Sequence, residues 1–240
     1  MIFFLKLNIW KPLSFFFPHE RVIAMFISAK PFETTKSLGD FRLPLVQSTL
    51  DSAVSRQVEE LLKKAAKIEI EIGCGKGKFL AERAIRHPET CFIGIDRVMK
   101  WMKKKIRQVE REALQNIIFI KADAREVLRQ CIQAKTVAAF HVYFPDPWPK
   151  RRHQKRRLVN SSLIKLLHDR LVTGGALFLA TDHLEYFDFI KKEIVASSLS
   201  WIVHESKNKR MKDDGLMKTH YETKYQTAGK DLYYLELIKP

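Results

Sequence analysis

The residues with the clearest chemical potential form a proline-rich segment, Pro145-Asp146-Pro147-Trp148-Pro149-Lys150, which we call the Pro-Trp loop. Proline restricts its own φ angle, so three prolines at alternate positions stiffen the backbone around Asp146 and Trp148. A stiff loop that offers a carboxylate and a large aromatic ring can hold a nucleobase by hydrogen bonding and stacking. We therefore predict that the chemistry takes place at this loop, with Asp146 as the candidate catalytic residue.

A basic run, Lys150 to Arg157, follows directly. Such a run is usually a solvated surface, but beside a candidate pocket it is better explained as a strip that binds phosphates. The charge of the whole chain agrees, since 43 Lys+Arg against 27 Asp+Glu give a formal net charge of +16 and favour a polyanionic partner. Lys103-Lys104-Lys105 and Lys207 to Lys212 could widen this surface or could be solubilising charge.

A second candidate site is the glycine-rich turn Gly73-Cys74-Gly75-Lys76-Gly77, which follows an apolar run. Glycine lets the backbone approach a ligand closely. The spacing differs from the dinucleotide fingerprint Gly-x-Gly-x-x-Gly, and Glu71 just before the turn would repel a pyrophosphate. The turn therefore favours a cationic nucleoside ligand such as S-adenosylmethionine, although glycine turns of this kind can also serve for packing alone.

Carboxylates also follow the other apolar runs. Asp96 could accept hydrogen bonds from ribose hydroxyls, and Asp123 with the backbone N–H of Ala124 could read an adenine edge. Each aspartate by itself could equally be a helix N-cap. Acidic residues at five successive strand ends nevertheless favour a nucleoside cofactor. These residues are Glu71, Asp96, Asp123, Asp146 and Asp182.

The elements that must position these residues alternate between short apolar runs and helical patterns, after a first helix predicted from Asp51 to about Lys67. The predicted strands are 68–72, 91–95, 117–121, 137–144 and 176–180, the last following a Gly174-Gly175 turn, and then 201–205 and 232–238 around a polar loop. The helices between them include 98–112, 160–171 and one that ends near Ser197. The pattern predicts an α/β fold, a mostly parallel seven-stranded sheet with helices on both faces and an antiparallel last strand.

The length of 240 residues fits one α/β domain, which we place at residues 31–240. Residues 1–30 form an N-terminal extension whose status the sequence leaves open. Its first part is rich in Phe but is interrupted by charged residues and prolines, which favours neither a membrane span nor a signal peptide. One hypothesis is that translation begins at Met25.

The three cysteines, Cys74, Cys91 and Cys131, are widely spaced and form no Cys-x-x-Cys pair. This pattern argues against a zinc site or a disulfide framework and fits a reducing cytosol. We therefore expect no metal in this protein. Cys74, inside the glycine turn, is interpreted as a small packed residue rather than as a nucleophile.

Six motifs occur in order along the chain: Glu71-Ile72-Gly73-x-Gly75-x-Gly77, Gly94-Ile95-Asp96, Asp123-Ala124, the Pro-Trp loop, Thr181-Asp182 and Thr219-x-Tyr221-Glu222. This combination resembles the bacterial tRNA (guanine-N7-)-methyltransferases over roughly residues 35–238. The Pro-Trp loop with its basic tail and the late Thr-x-aromatic-Glu motif are specific to that family, whereas the glycine turn is not. The family more often has Phe at the position of Tyr221.

The resemblance implies a Rossmann-like class I methyltransferase fold, S-adenosylmethionine as cofactor, and methylation of tRNA at N7 of guanine 46 in the variable loop. It implies a cytoplasmic enzyme with tRNA as partner, without metal or membrane, as a monomer or homodimer. The implied cofactor-binding residues are Glu71, Gly73, Gly75, Asp96, Asp123, Ala124 and Asp146. The implied substrate-binding residues are Lys150, Asp182, Thr219, His220, Tyr221 and Glu222.

Three alternatives stay open at this point. The chain could methylate another substrate, such as ribosomal RNA or a protein. It could be a nicotinamide-dependent oxidoreductase, which the glycine spacing and Glu71 disfavour. It could also bind RNA without catalysis, although carboxylates in the groove would contribute nothing to simple RNA binding.

Overall fold

The computed structural model describes residues 46–47, 58, 62, 65–98, 114, 116–209 and 219–240, and for residues 46, 47 and 220 it describes the backbone alone. All of them belong to one compact unit, Lys36–Pro240. The N-terminal extension, nearly all of the helix predicted at 98–112, and Lys103-Lys104-Lys105 lie outside the described residues. Within the first predicted helix, Val58 and Leu62 are described and are helical, whereas Lys67 already belongs to a strand.

The described strands form one sheet in the order β1-β4-β3-β2-β5-β6-β8-β7. Neighbouring strands from β1 to β6 pair in parallel, and β8 is antiparallel to both β6 and β7. The strands are β1 (Val46–Gln47), β2 (Lys67–Ile72), β3 (Thr90–Asp96), β4 (Ile117–Lys121), β5 (Val137–Tyr143), β6 (Leu171–Thr181), β7 (Ile202–Lys207) and β8 (Tyr233–Ile238). The prediction of a mostly parallel sheet with an antiparallel last strand is confirmed, and the two-residue β1 adds to the seven predicted strands.

Helices cover both faces of the sheet. The helices that the structure describes from end to end are α1 (Lys78–Arg86), α2 (Ala124–Gln130), α3 (Ser161–Arg170), α4 (Leu184–Ala196) and α5 (His220–Thr227), with a 3₁₀-helix at Arg151–Arg156. The apolar faces of α2, α3 and α4 pack in one core cluster with alternate residues of the central strands, such as Ile70 and Phe140. Helix α1 packs in a second cluster, where Phe79 and Leu80 contact the aromatic rings of β3 and β4. Among the described helices, none is long and apolar enough to cross a membrane.

Two predicted boundaries are wrong. The Gly174-Gly175 turn lies inside β6, and the pairing of β6 with β5 is irregular there. Several residues of β6, those between Leu171 and Ala176, lie opposite a single residue of β5. The polar loop before β8 contains α5, which begins with a capping box at Thr219 and Glu222. The Thr-x-x-Glu spacing that signals this start is visible in the sequence.

The sheet topology creates the place for a site. From β2 the chain passes to β3 and β4 on one side of the sheet, and then crosses back to β5 on the other side of β2. Connections that diverge from adjacent parallel strands leave a crevice at their carboxyl ends. The glycine turn follows β2 and the Pro-Trp loop follows β5, so both candidate segments meet at this crevice.

Candidate active site

A cleft of about 1210 Å³ opens at the carboxyl ends of the parallel strands. A smaller cavity of about 220 Å³ adjoins it on the side of α5. The predicted site residues that line the cleft are Gly73, Gly75, Asp96, Asp123, Ala124, Asp146 and Tyr221. Those that line the smaller cavity are Glu71, Gly73, Gly75, Thr219 and Tyr221. Because the two glycines and Tyr221 border both spaces, one elongated ligand could occupy them together.

The glycine turn has a left-handed backbone at Gly73, Gly75 and Gly77, with φ angles of 77°, 51° and 65°. Its N–H groups are used within the fold. Gly75 donates to Oδ2 of Asp96 at 2.8 Å, and Gly73 donates to the carbonyl of Ile95 at 2.8 Å. A phosphate-binding turn instead directs its N–H groups at the ligand. The turn is therefore built as a close backbone surface and not as an anion nest.

Asp96 and Asp123 both make backbone hydrogen bonds. Oδ1 of Asp96 accepts from the Val98 N–H at 2.8 Å, in addition to its bond from Gly75. Oδ1 of Asp123 accepts from the Arg125 N–H at 2.8 Å and so caps α2. The N-cap explanation is thus correct for Asp123. Both carboxylates still line the cleft, so their contacts with a nucleoside stay predictions.

The Pro-Trp loop is held in a strained conformation. Trp148 has a φ angle of 42°, and Phe144 just before the loop has 51°. A non-glycine residue in this region costs about 1–3 kcal/mol and persists only where its surroundings hold it. The Trp148 ring contacts the His153 ring at 5.8 Å and the Arg156 guanidinium at 5.1 Å, measured to ring centroids. Asp146 is exposed at the rim of the cleft.

The basic run divides into two kinds of residue. Arg151, Arg152, Lys155 and Arg156 are exposed, and so is Lys150, which does not line the cleft. Arg157 is different, because only 2% of its side chain is exposed. A buried guanidinium with protein partners cannot serve as part of an open phosphate strip, so the predicted strip is reduced to the exposed residues.

The Thr219–Glu222 segment forms the start of α5. Oγ1 of Thr219 accepts from the Glu222 N–H at 3.1 Å, and Oε2 of Glu222 accepts from the Thr219 N–H at 3.1 Å. The Tyr234 hydroxyl donates to Oε1 of Glu222 at 2.9 Å. Glu222 is 1% exposed, whereas Tyr221 is 47% exposed and faces the cleft. The side chain of His220 lies outside the described residues.

Asp182 lies beside α5 and not in either space. Its Oδ2 accepts from Nζ of Lys230 at 2.6 Å, and that ammonium also lies 4.4 Å from the Tyr225 ring centroid. The Tyr225 ring contacts the rings of Phe144 at 5.5 Å and Tyr221 at 6.0 Å. Asp182 therefore helps to hold the aromatic group through which α5 packs against Phe144, the residue before the Pro-Trp loop.

Beneath the glycine turn lies a buried ionic network that the sequence patterns did not predict. The Glu69 carboxylate contacts Nη2 of Arg83 at 2.7 Å and Nε2 of His141 at 3.1 Å, and Nδ1 of His141 contacts the Tyr143 hydroxyl at 2.9 Å. Burial opposes ionisation of Glu69, but the hydrogen bond and charge of His141 and the charge of Arg83 outweigh it and hold the pKa of this carboxyl far below its usual range. The network fixes α1 against β2 and β5.

Comparison with known proteins decides the family. The chain matches the family model described as "Putative methyltransferase" over residues 65–235. It is 37% identical over 175 residues to the tRNA (guanine-N(7)-)-methyltransferase of Treponema pallidum strain Nichols, covering 72% of this chain and 68% of the relative. It is 32% identical over 181 residues to the enzyme of that name from Rubrobacter xylanophilus, covering 75% and 80%. The chain belongs to the tRNA (guanine-N(7)-)-methyltransferase family.

This membership confirms the resemblance seen in the six motifs. A solved antibiotic-related methyltransferase shares the fold of this family member, with a TM-score of 0.57 at 18% identity, covering 79% of this chain and 94% of the other. The Rossmann-like class I fold is thus confirmed. A nicotinamide-dependent oxidoreductase is set aside, and the described glycine turn agrees, since its N–H groups are not directed at a phosphate.

Proposed function

We propose that this protein transfers the methyl group of S-adenosylmethionine to N7 of a guanine in tRNA, at position 46 in the variable loop. The observation that carries the proposal is the cleft, which joins three of the strand-end carboxylates (Asp96, Asp123 and Asp146) with the glycine turn and the Pro-Trp loop. The exposed cations of the 3₁₀-helix lie beside it and suit a folded RNA. We further propose that residues 31–240 act as one cytoplasmic methyltransferase domain.

The lining residues fit S-adenosylmethionine, a nucleoside that carries positive charge. Asp96 would hold the ribose, Asp123 and Ala124 the adenine, and Glu71 in the smaller cavity the cationic amino-acid end. Gly73 has no heavy atom within 4 Å of the position a Cβ would take, which leaves room for a ligand against the turn. The cofactor would supply one methyl group bound to a sulfonium.

The reaction requires little acid–base chemistry from the protein. N7 of guanine has a lone pair and no proton to lose, so catalysis depends mainly on holding N7 in line with the methyl group. Trp148 and Tyr221 line the cleft and offer rings on which a base can stack. Asp146, at the rim, would stabilise the positive charge that the purine gains.

The remaining predicted substrate residues fall into two groups. Lys150 is exposed at the end of the Pro-Trp loop, and we propose that it contacts the RNA directly. Thr219 is buried and its hydroxyl caps α5, so we propose that it acts through the position of that helix. Asp182 and Glu222 are engaged by Lys230 and Tyr234, so we propose that they act on the substrate through the position of α5. A direct role for His220 stays a prediction.

The test is nucleoside mass analysis of tRNA incubated with the protein and isotopically labelled S-adenosylmethionine. We expect label in 7-methylguanosine from position 46, and the Asp146→Ala variant to lose most of the activity while still binding tRNA. Label in another nucleoside, or only in ribosomal RNA added in parallel, would favour the alternative of a different RNA substrate. Near-normal turnover by Asp146→Ala would refute the role of that carboxylate.

A further inference from the structure

Arg157 ends the basic run but has a different environment from its neighbours. Its Nε donates to the carbonyl oxygen of Pro147 at 2.9 Å, inside the Pro-Trp loop. Its Nη2 donates to Oε1 of Glu185, in the first turn of α4, at 3.0 Å. The guanidinium carbon lies 5.1 Å and 4.6 Å from the ring centroids of Tyr186 and Phe189. One buried cation thus connects the loop with the helix that follows β6.

The contact with Pro147 bears directly on Trp148. The Pro147 carbonyl belongs to the peptide plane that precedes Trp148, so fixing its direction restricts rotation about the N–Cα bond of Trp148. The φ angle about this bond is 42°, a value that a tryptophan does not adopt unless its surroundings support it. The bond from Arg157 supplies such support from inside the protein.

Neighbouring contacts keep Arg157 in place. Gln154 donates through Nε2 to the same Glu185 oxygen at 2.9 Å, and the Arg157 N–H donates to the Gln154 carbonyl at 3.0 Å. The guanidinium is planar and has donors in a fixed fork, so it can satisfy a carbonyl and a carboxylate while its faces lie on aromatic rings. A lysine ammonium cannot reproduce this combination.

We propose that Arg157 is a positioning residue that fixes Trp148 and Asp146 for the bound base, and that it does not bind RNA phosphate. This proposal rests on the proposed function, since it assigns the Pro-Trp loop to the substrate. It divides the basic run by role. The exposed arginines contribute affinity and salt dependence, and the buried one contributes the geometry of the reaction.

The experiment compares Arg157→Met with Arg152→Met, which removes an exposed arginine from the same run. We expect Arg157→Met to lower kcat about 10- to 100-fold, as for the loss of a hydrogen bond from a charged group, with little change in the salt dependence of tRNA binding. We expect Arg152→Met to act through binding instead, weakening tRNA affinity and lowering the slope of log affinity against log salt by about one. The opposite pattern, with a lower slope and normal kcat for Arg157→Met, would overturn the proposal.

A second readout does not depend on activity. Hydrogen exchange of the peptide that contains the Pro-Trp loop should become faster in Arg157→Met and stay unchanged in Arg152→Met. If the wild-type protein fails to methylate tRNA but the two variants differ in hydrogen exchange, the proposed function fails and the contact between Arg157 and the Pro-Trp loop stands. Equal exchange in both variants would refute that contact.

If Arg157→Met does not fold, Glu185→Ala keeps the proposal testable. Glu185 has 57% of its side chain exposed, so its removal should leave the fold intact and release only one of the partners of Arg157. We expect a fall in kcat of about two- to fivefold, as for one exposed charged contact, with an unchanged salt slope. An unchanged kcat together with unchanged hydrogen exchange in the loop would refute the positioning role.

Discussion

A carboxylate near a substrate site can touch the substrate or hold the site together, and Glu222 provides a test of that distinction. Its two oxygens accept from the Thr219 N–H and the Tyr234 hydroxyl, and only 1% of the residue is exposed. If Glu222 acts by holding α5, then removing the Tyr234 hydroxyl should damage the site although no substrate contact is changed. Replacing Glu222 by Gln should be tolerated, because an amide can accept from Thr219 and donate to the tyrosine oxygen.

The magnitude follows from the bond that is lost. A hydrogen bond to a charged group contributes about 1.5–3 kcal/mol, and an isolated helix as short as α5 is marginal in water. Tyr234→Phe should therefore loosen α5 and lower methylation about 10-fold or more, because Tyr221 would lose its fixed place at the cleft. Should the loss reach the global stability, Tm would fall by roughly 3–12 °C.

The assay measures initial methylation rates, Tm and tRNA affinity for Tyr234→Phe, Glu222→Gln and the control Tyr233→Phe. Tyr233 is the neighbouring tyrosine on β8, and its ring contacts Phe187 of α4. We expect near-normal rates for the control and for Glu222→Gln. Wild-type activity in Tyr234→Phe together with an inactive Glu222→Gln would show that the charge of Glu222 acts on the substrate, and the positioning argument would be refuted.

Three further outcomes can be measured. Asp96→Asn replaces an acceptor of the Gly75 N–H, and calorimetry should show S-adenosylhomocysteine bound about 10- to 100-fold more weakly, while equal affinity would contradict the role of Asp96 in the turn. Gly94→Ala places a Cβ 2.7 Å from Cδ1 of Phe119, so thermal unfolding should show that the free energy of unfolding falls by about 1–3 kcal/mol. An unchanged Tm would mean that the Phe119 ring moves aside at no cost. Because the pKa of Glu69 is lowered in the folded protein, its carboxylate stabilises the fold at pH values above the usual carboxyl pKa, and this stabilisation is lost as pH falls through the folded pKa. Glu69→Gln should therefore lower Tm at pH 7 and make Tm depend less on pH in the acid range. Parallel curves of Tm against pH for the two proteins would exclude this contribution.

Much of the fold was predictable from the sequence, because each strand of the parallel sheet is a local apolar run that ends in an acidic residue or a turn. Ile68 to Ile72 and Ile117 to Lys121 are recovered within one residue. Two predictions were wrong because they too were drawn from local sequence patterns alone. The capping box at Thr219 starts a helix whose low apolar content left no helical periodicity, and the bulge at Gly174-Gly175 has the residues of a turn.

The sequence by itself determined the family, the order of the strands along the chain and the residues of the glycine turn and Pro-Trp loop, because these are properties of residue type and spacing. Tertiary structure alone decided which charges are available to a ligand. Arg157 and Arg156 are neighbours in the same basic run, yet one is buried against α4 and the other is exposed beside Trp148. The physical reason is that exposure depends on which distant elements pack over a side chain, and the carbonyl of Pro147 and the carboxylate of Glu185 meet Arg157 only when the chain has folded.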